Sequence, residues 1–273
     1  MIEWKNIVRG LAMGVSDLIP GVSGGTTAVV LGIYDRLILS INQLFSRNFK
    51  SALFFLVPLG LGIVSALFIF SNVISFLLES YPIPTYFFFF GLILGVIPFL
   101  IQKVDAKRTF HVKHFILLII AALVVALNFS IDLDESSTVM QNLDMADYML
   151  LFGAGWIASS AMLLPGVSGS LFFTILGVYG TLVHALSTIN IPVIAVVAVG
   201  ILVGILVMSK IIRYVLRRYP IATYAGIIGL MLGSSFVILP GIPPTPGLFM
   251  SSIVTFVAGL ALAFGLGRVE HDH

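Results

Sequence analysis

The chain has 273 residues, 59% of them hydrophobic and only 10% charged, with a mean hydropathy of +1.13. A soluble domain is nearer half apolar and a quarter charged, so the composition excludes a soluble globular protein and predicts an integral membrane protein. The absence of cysteine excludes a disulfide framework and a thiolate metal site, while a net charge of +2 discriminates little.

In chain order, the N-terminus MIEWKNIVRG carries charge but no short apolar core ending in a small-residue cleavage site, and reads as mature sequence. A broken unit is expected at 7–44. It contains DLIPGVSGGTTAVVLGIYDR (17–36), which sets a proline, glycines, hydroxyls and charges in membrane-grade sequence. Three apolar runs follow at 52–78, 85–101 and 113–130. Most runs of this kind suit a helix crossing a ~30 Å core with ~20 residues, though the third is short and borrows its flanks. After the acidic polar stretch 131–147 the pattern returns. A second broken unit is expected at 148–186, containing LLPGVSGSLFFTILGVYGT (163–181), with apolar runs at 191–213, 222–239 and 247–267.

This return is an internal repeat. Pro20 pairs with Pro165 at an offset of 145, and the match runs through Gly32/Gly177 and Tyr34/Tyr179. YPIPTYFFFFGLILG (81–95) pairs with YPIATYAGIIGLMLG (219–233) at an offset of 138. Two matched blocks in the same order predict two homologous halves, 1–140 and 141–273. If each broken unit returns to its starting side, a half crosses three times and the second half is inverted. From a cytoplasmic N-terminus, that arrangement gathers all 14 basic residues on the cytoplasmic side. It leaves Glu79, Asp132, Asp134, Glu135, Asp144 and Asp147 outside. One net crossing per unit would divide the basic residues between the faces. Two crossings would give the same parity, but the arms are marginal in length for two full spans. The expected fold is an all-α polytopic membrane protein of two inverted-topology repeats, each a re-entrant helical hairpin broken at PGVSGx plus three transmembrane helices, with both termini cytoplasmic.

Unpaired backbone groups in lipid cost several kcal/mol each, so irregular backbone persists only where it is buried in protein or lines a wet cavity. Pro20 ends the preceding helix. Gly21, Gly24 and Gly25 permit unusual angles and close approach, and Ser23 and Thr26 are candidate caps for the helix that restarts. That helix aims N–H groups and its positive dipole end inward, a site suited to an anion and above all to phosphate. Paired discontinuous helices in inverted repeats form the substrate site of many transporters.

The halves differ at Asp17/Met162, Gly25/Ser170, Asp35/Gly180 and Arg36/Thr181, so the ionisable groups belong to the first hairpin. Asp17 reads either as a proton carrier or cap polariser, or as a helix-end residue bonded to Ser16 or local N–H groups. Arg36 is a candidate bidentate ligand for a phosphate oxygen. Asp35 reads as its partner or as an interfacial charge. Tyr34 and Tyr179 read as anion donors or interface tyrosines. The YPIxTY blocks are expected to start spanning helices with proline in the first turn. Gly91/Gly95 and Gly229/Gly233 are expected to pack helices closely.

Enzyme chemistry finds no footing. His111 and His114 sit beside Lys113 in a predicted cytoplasmic loop, His184 stands alone, and no acid or histidine set has metal-ligand spacing or a nucleophile–base pairing. No metal or cofactor is expected. The basic residues form no stripe with aromatics, so no nucleic-acid partner is expected either. The sequence assigns no oligomeric state.

RGLAMGVSDLIPGVSGGTTAVVLGIYDRLI, followed by LLPGVSGSLFFTILGVYGTL, resembles the PopT-type polyprenyl-phosphate transporters over essentially the whole chain. The resemblance implies a bacterial cytoplasmic-membrane protein that returns undecaprenyl phosphate to the inner leaflet after cell-wall precursor delivery. A phosphate head would then call on Ser23, Gly24, Gly25, Thr26, Thr27, Ser168, Gly169, Ser170 and Arg36, with Tyr34 and Tyr179 nearby and Asp17 as a site for a coupling proton. Transport of a small soluble anion through the same helix ends is the rival reading.

Overall fold

Local chemistry starts and stops the helices of this chain, whose structure is a computed structural model describing residues 3–19, 22–128, 139–140 and 143–271. Pro20 and Gly21 of the first break lie outside the described residues. So do Asp132, Asp134 and Glu135 of the linker, the expected helix end at 130 and the side chain of Arg268. The described residues form helices and no strand. The first broken unit comprises α1 (Lys5–Asp17), α2 (Gly24–Val30) and α3 (Tyr34–Gln43), followed by α4 (Phe49–Ser80), α5 (Pro82–Lys103), the short α6 (Ala106–Thr109) and α7 (Val112–Asn128). The second comprises α8 (Met145–Met162), α9 (Gly169–Ile175) and α10 (Tyr179–Ser187), followed by α11 (Ile191–Arg218), α12 (Pro220–Ile238) and α13 (Pro246–His271).

Helices α4, α5, α11, α12 and the Pro246–Gly265 part of α13 are long and apolar enough to cross a membrane, and α7 is a shorter apolar helix. The pairs α2–α3 and α9–α10, bent by 119° and 109°, raise the number of spans from five to seven if each pair is one span.

The YPIxTY blocks start α5 and α12 with proline in the first turn. The Thr85 hydroxyl donates to the Tyr81 carbonyl at 2.7 Å, and Thr223 does the same to Tyr219 at 2.8 Å, so both blocks close the helix start by one device. Asp144 and Asp147 form a reciprocal capping box at α8, with acids at the positive end of the helix.

Each broken unit also contains a second bend, at Gly32 (φ +65°) and Gly177 (φ +69°), a left-handed conformation that glycine adopts without a Cβ clash. The Gly32 and Ile33 N–H groups donate to Val29 and Ala28 carbonyls, and those of Gly177 and Val178 to Thr174 and Phe173, all at 2.9 Å. This is the Schellman close of a helix, repeated bond for bond.

Four long pairings build the body: α1 on α4, α8 on α11, α5 on α13 and α12 on α7. Glycine brings the axes together in each. A Cβ at Gly10 would strike the Leu59 carbonyl, and one at Gly155 would lie 2.6 Å from the Val197 oxygen. At Gly91 it would strike the Phe256 carbonyl, and at Gly95 it would lie 2.7 Å from the Ala263 methyl. At Gly229 it would strike the Leu118 carbonyl, and at Gly233 it would lie 2.5 Å from the Ala122 oxygen. The two GxxxG pairs thus pack helices, as their spacing predicts.

The main apolar core runs through the first broken unit, α4, α5 and α12, with Ile38, Phe55, Ile93, Ile228 and Met231 almost wholly buried. A separate, smaller cluster, including Leu151, Val178 and Val193, lies under the second broken unit.

Candidate functional site at the two helix breaks

The break between α1 and α2 is closed by its own side chains. Ser23 caps α2, its Oγ accepting the Thr26 N–H at 3.2 Å and lying 3.0 Å from Thr26 Oγ1. The Gly24 N–H donates to Asp17 Oδ1 at 2.6 Å, which seats a carboxylate on the positive end of α2. The Thr27 hydroxyl donates to Ser16 Oγ at 2.6 Å, and Ser16 donates onward to the Ala12 carbonyl at 3.0 Å. Every residue of α2 is buried. Two N–H groups that the sequence reading offered to an anion, those of Gly24 and Thr26, are therefore engaged by Asp17 and Ser23.

The second break is built differently. Ser168 precedes α9 but makes no cap bond, and its hydroxyl lies 2.9 Å from Ser170 Oγ on the exposed side. No residue of α9 is buried. Gly169 packs beside α8, where a Cβ would lie 3.0 Å from the Ala158 oxygen.

The two breaks meet. The Gly166 N–H donates to Thr26 Oγ1 at 2.7 Å and lies 3.3 Å from Ser23 Oγ. The Tyr34 hydroxyl donates to the Leu163 carbonyl at 2.9 Å. A Cβ at Gly25 would lie 3.1 Å from the Met162 oxygen, so the absence of a side chain lets the other break pass close by. Ser23, Gly25, Thr26 and Tyr34 are thereby assembled with residues 162–166.

Arg36 and Asp35 stand apart from this assembly and from each other. Arg36 ion-pairs with Glu3 and lies over the Phe55 ring at 5.0 Å. Asp35 pairs with Lys103 at 3.1 Å and accepts from the Tyr224 hydroxyl at 2.8 Å. The reading of Asp35 as the partner of Arg36 is corrected here: consecutive helix residues do not face one another. Tyr179 starts α10, half-buried, and the neighbouring Thr181 accepts the Met140 N–H at 3.0 Å.

Sequence reasoning missed Lys103 and Tyr224, and named Ser16 only as a bond partner of Asp17, whereas Ser16 receives the Thr27 hydroxyl. Ser16 adjoins Asp17 and Tyr224 closes the second YPIxTY block, but only the tertiary fold shows what each touches. Among the described residues, no group of three histidines, aspartates or glutamates is placed to hold a metal ion.

The VCA0040-like family, described as undecaprenyl phosphate translocase-like, matches residues 13–244, which include both breaks. The chain belongs to this family. It is similar to a polyprenyl-phosphate transporter of Staphylococcus aureus, 40% identical over 278 residues that cover 99% of this chain and 98% of the relative. It is also similar to a polyprenyl-phosphate transporter of Vibrio cholerae, 34% identical over 241 residues, or 83% and 74% of the two chains. No solved structure matches the chain. The resemblance carried by the two PGVSG motifs thus leads to the translocase-like family that residues 13–244 match.

Proposed function

We propose that the protein translocates undecaprenyl phosphate from the outer to the inner leaflet of the bacterial cytoplasmic membrane, with the phosphate held between the two PGVSGx breaks. The observation that carries this reading is the bond from the Gly166 N–H to Thr26 Oγ1. It joins two helix breaks, far apart in sequence, at one buried point. The names of both relatives, polyprenyl-phosphate transporter, favour a lipid phosphate over a small soluble anion and transport over enzyme chemistry.

In this reading 1–140 and 141–273 are inverted repeats whose hairpins enter from opposite sides. Its support is the match of elements between the halves, the short α6 apart, with α1 on α4 answered by α8 on α11, and α5 on α13 by α12 on α7. The half-buried Ser168 hydroxyl, the exposed Ser170 hydroxyl and the Gly169 backbone receive the phosphate first. Ser23, Gly24, Gly25, Thr26 and Thr27 receive it when the first break opens, with Tyr34 and Tyr179 beside their bends. Arg36 reaches the phosphate only after parting from Glu3. Asp17 is a built-in anion on the Gly24 N–H, so an arriving phosphate competes with it. Protonation weakens its hold on Gly24, which makes Asp17 the site of proton coupling.

The experiment is translocation of undecaprenyl phosphate between the leaflets of proteoliposomes. Wild type should exceed empty liposomes, and Ser168→Ala should lose most of that rate while remaining folded. A wild-type rate no faster than empty liposomes, with and without a proton gradient, would sink the transport reading. Asp17→Asn transporting normally at every external pH would end the proton step alone.

A further inference from the structure

Outside the breaks, a cavity of about 540 Å³ opens between α3, α5, α11 and α12. Its walls include the apolar Ile38 and Leu216, and its charges are Lys103, Arg213 and Arg217 with a single carboxylate, Asp35. Arg213 and Arg217 are four residues apart on α11 and therefore share one helix face. No ion pair among the described residues engages either guanidinium. Asp35 is already occupied by the Tyr224 hydroxyl and by Lys103, and the Lys103 ammonium also lies 5.1 Å from the Tyr224 ring centroid. That clamp fixes the lysine at the edge of the cavity while leaving the two arginines uncompensated. A bias of basic residues toward one membrane face explains why cations collect at helix ends. It does not explain why cations from two helices converge on one cavity with apolar walls.

The cavity borders the breaks. A crevice of only about 10 Å³, lined by Tyr34, Lys103 and Tyr224 among others, lies against it and shares the last two residues with it. Tyr34 in turn holds the Leu163 carbonyl of the second break. A space of that size admits at most one water, so the crevice is too small for a headgroup in this structure. On the far side, two planar guanidinium forks and an ammonium match the oxygens and double negative charge of a phosphate monoester. The apolar walls match the first part of an attached hydrocarbon chain.

We infer that this cavity is a second headgroup site, which holds the phosphate monoester of a long-chain membrane lipid on Arg213, Arg217 and Lys103, separated from the breaks by the Tyr34–Tyr224 constriction. The inference deepens the transport reading and rests on it for the lipid class. Whether the cavity binds is an equilibrium question that can fail on its own.

The test is calorimetric titration of farnesyl phosphate into the full-length protein in phosphatidylcholine nanodiscs, with farnesol and inorganic phosphate in parallel. Arg213→Gln/Arg217→Gln should weaken farnesyl phosphate at least about tenfold, the loss expected for one charge-assisted contact, and leave farnesol unchanged. Arg213→Lys/Arg217→Lys should restore part of the affinity, and Ser168→Ala/Ser170→Ala should retain the arginine-dependent component. Since the chain has no cysteine, Leu39→Cys at the cavity wall gives a second measurement that leaves the arginines in place. Farnesyl phosphate should slow its maleimide labelling. Wild-type affinity in the Gln pair, or no protection of Leu39→Cys, overturns the site. Inorganic phosphate bound as tightly as farnesyl phosphate overturns the lipid assignment. Loss of translocation with this binding intact would count against the transport reading and leave the headgroup site standing.

Discussion

Helices α2 and α9 each have seven residues, follow the same PGVSG letters and end at the same left-handed glycine, yet every residue of α2 is buried and none of α9 is. The shared letters set where the helix breaks. The letters around them decide whether the broken end is satisfied by the protein or left open. Asp17, Thr26 and Thr27 tie α2 to α1 and to the other break, while their counterparts Met162, Leu171 and Phe172 have no group to do so.

Breaking that contrast should have graded effects. Asp17→Ala strands the Gly24 N–H at a buried helix end and should cost about 2 kcal/mol, read as a lower midpoint in detergent unfolding, whereas Met162→Ala should cost much less. An Asp17→Ala protein as stable as wild type would mean that the carboxylate does not hold the break. Thr26→Val keeps the shape but removes the acceptor for Gly166, and should cost about 1–2 kcal/mol by the same measurement. Next comes the matched pair of serines. Ser23→Ala removes a cap and should cost about 1 kcal/mol. Ser168→Ala, where no cap bond exists, should stay within about 0.5 kcal/mol even though transport falls. Equal costs at the two serines would erase the contrast between the breaks.

What the sequence disclosed, and what it withheld, divide along the range of the interactions. The breaks, the proline starts of α5 and α12 and the glycine contacts of Gly91 and Gly229 are written in adjacent or periodic letters, so they were legible. The bends at Gly32 and Gly177 lay within the matched blocks, but they show as bends only once helices as short as seven residues are admitted. The sequence left Asp35 open between a partner for Arg36 and an interfacial charge. Arg36 and Asp35 each found a partner elsewhere, Glu3 and Lys103. The difference between the two breaks was half visible: the substituted letters could be read, but which N–H groups they would engage depended on helices meeting across the molecule.

The crossed pairing of α5 with α13 and of α7 with α12 bears on how the molecule is made. A ribosome delivers α5 well before α13, and α7 before α12, so two early helices enter the membrane before their partners: α5 with its Gly91 and Gly95 face open, and α7 before the glycines of α12 that pack on it. Closing these pairs late makes assembly a long-range event. A chain cut between the halves should therefore yield two pieces that are each incomplete and that recover the fold only when both are synthesised in the same membrane.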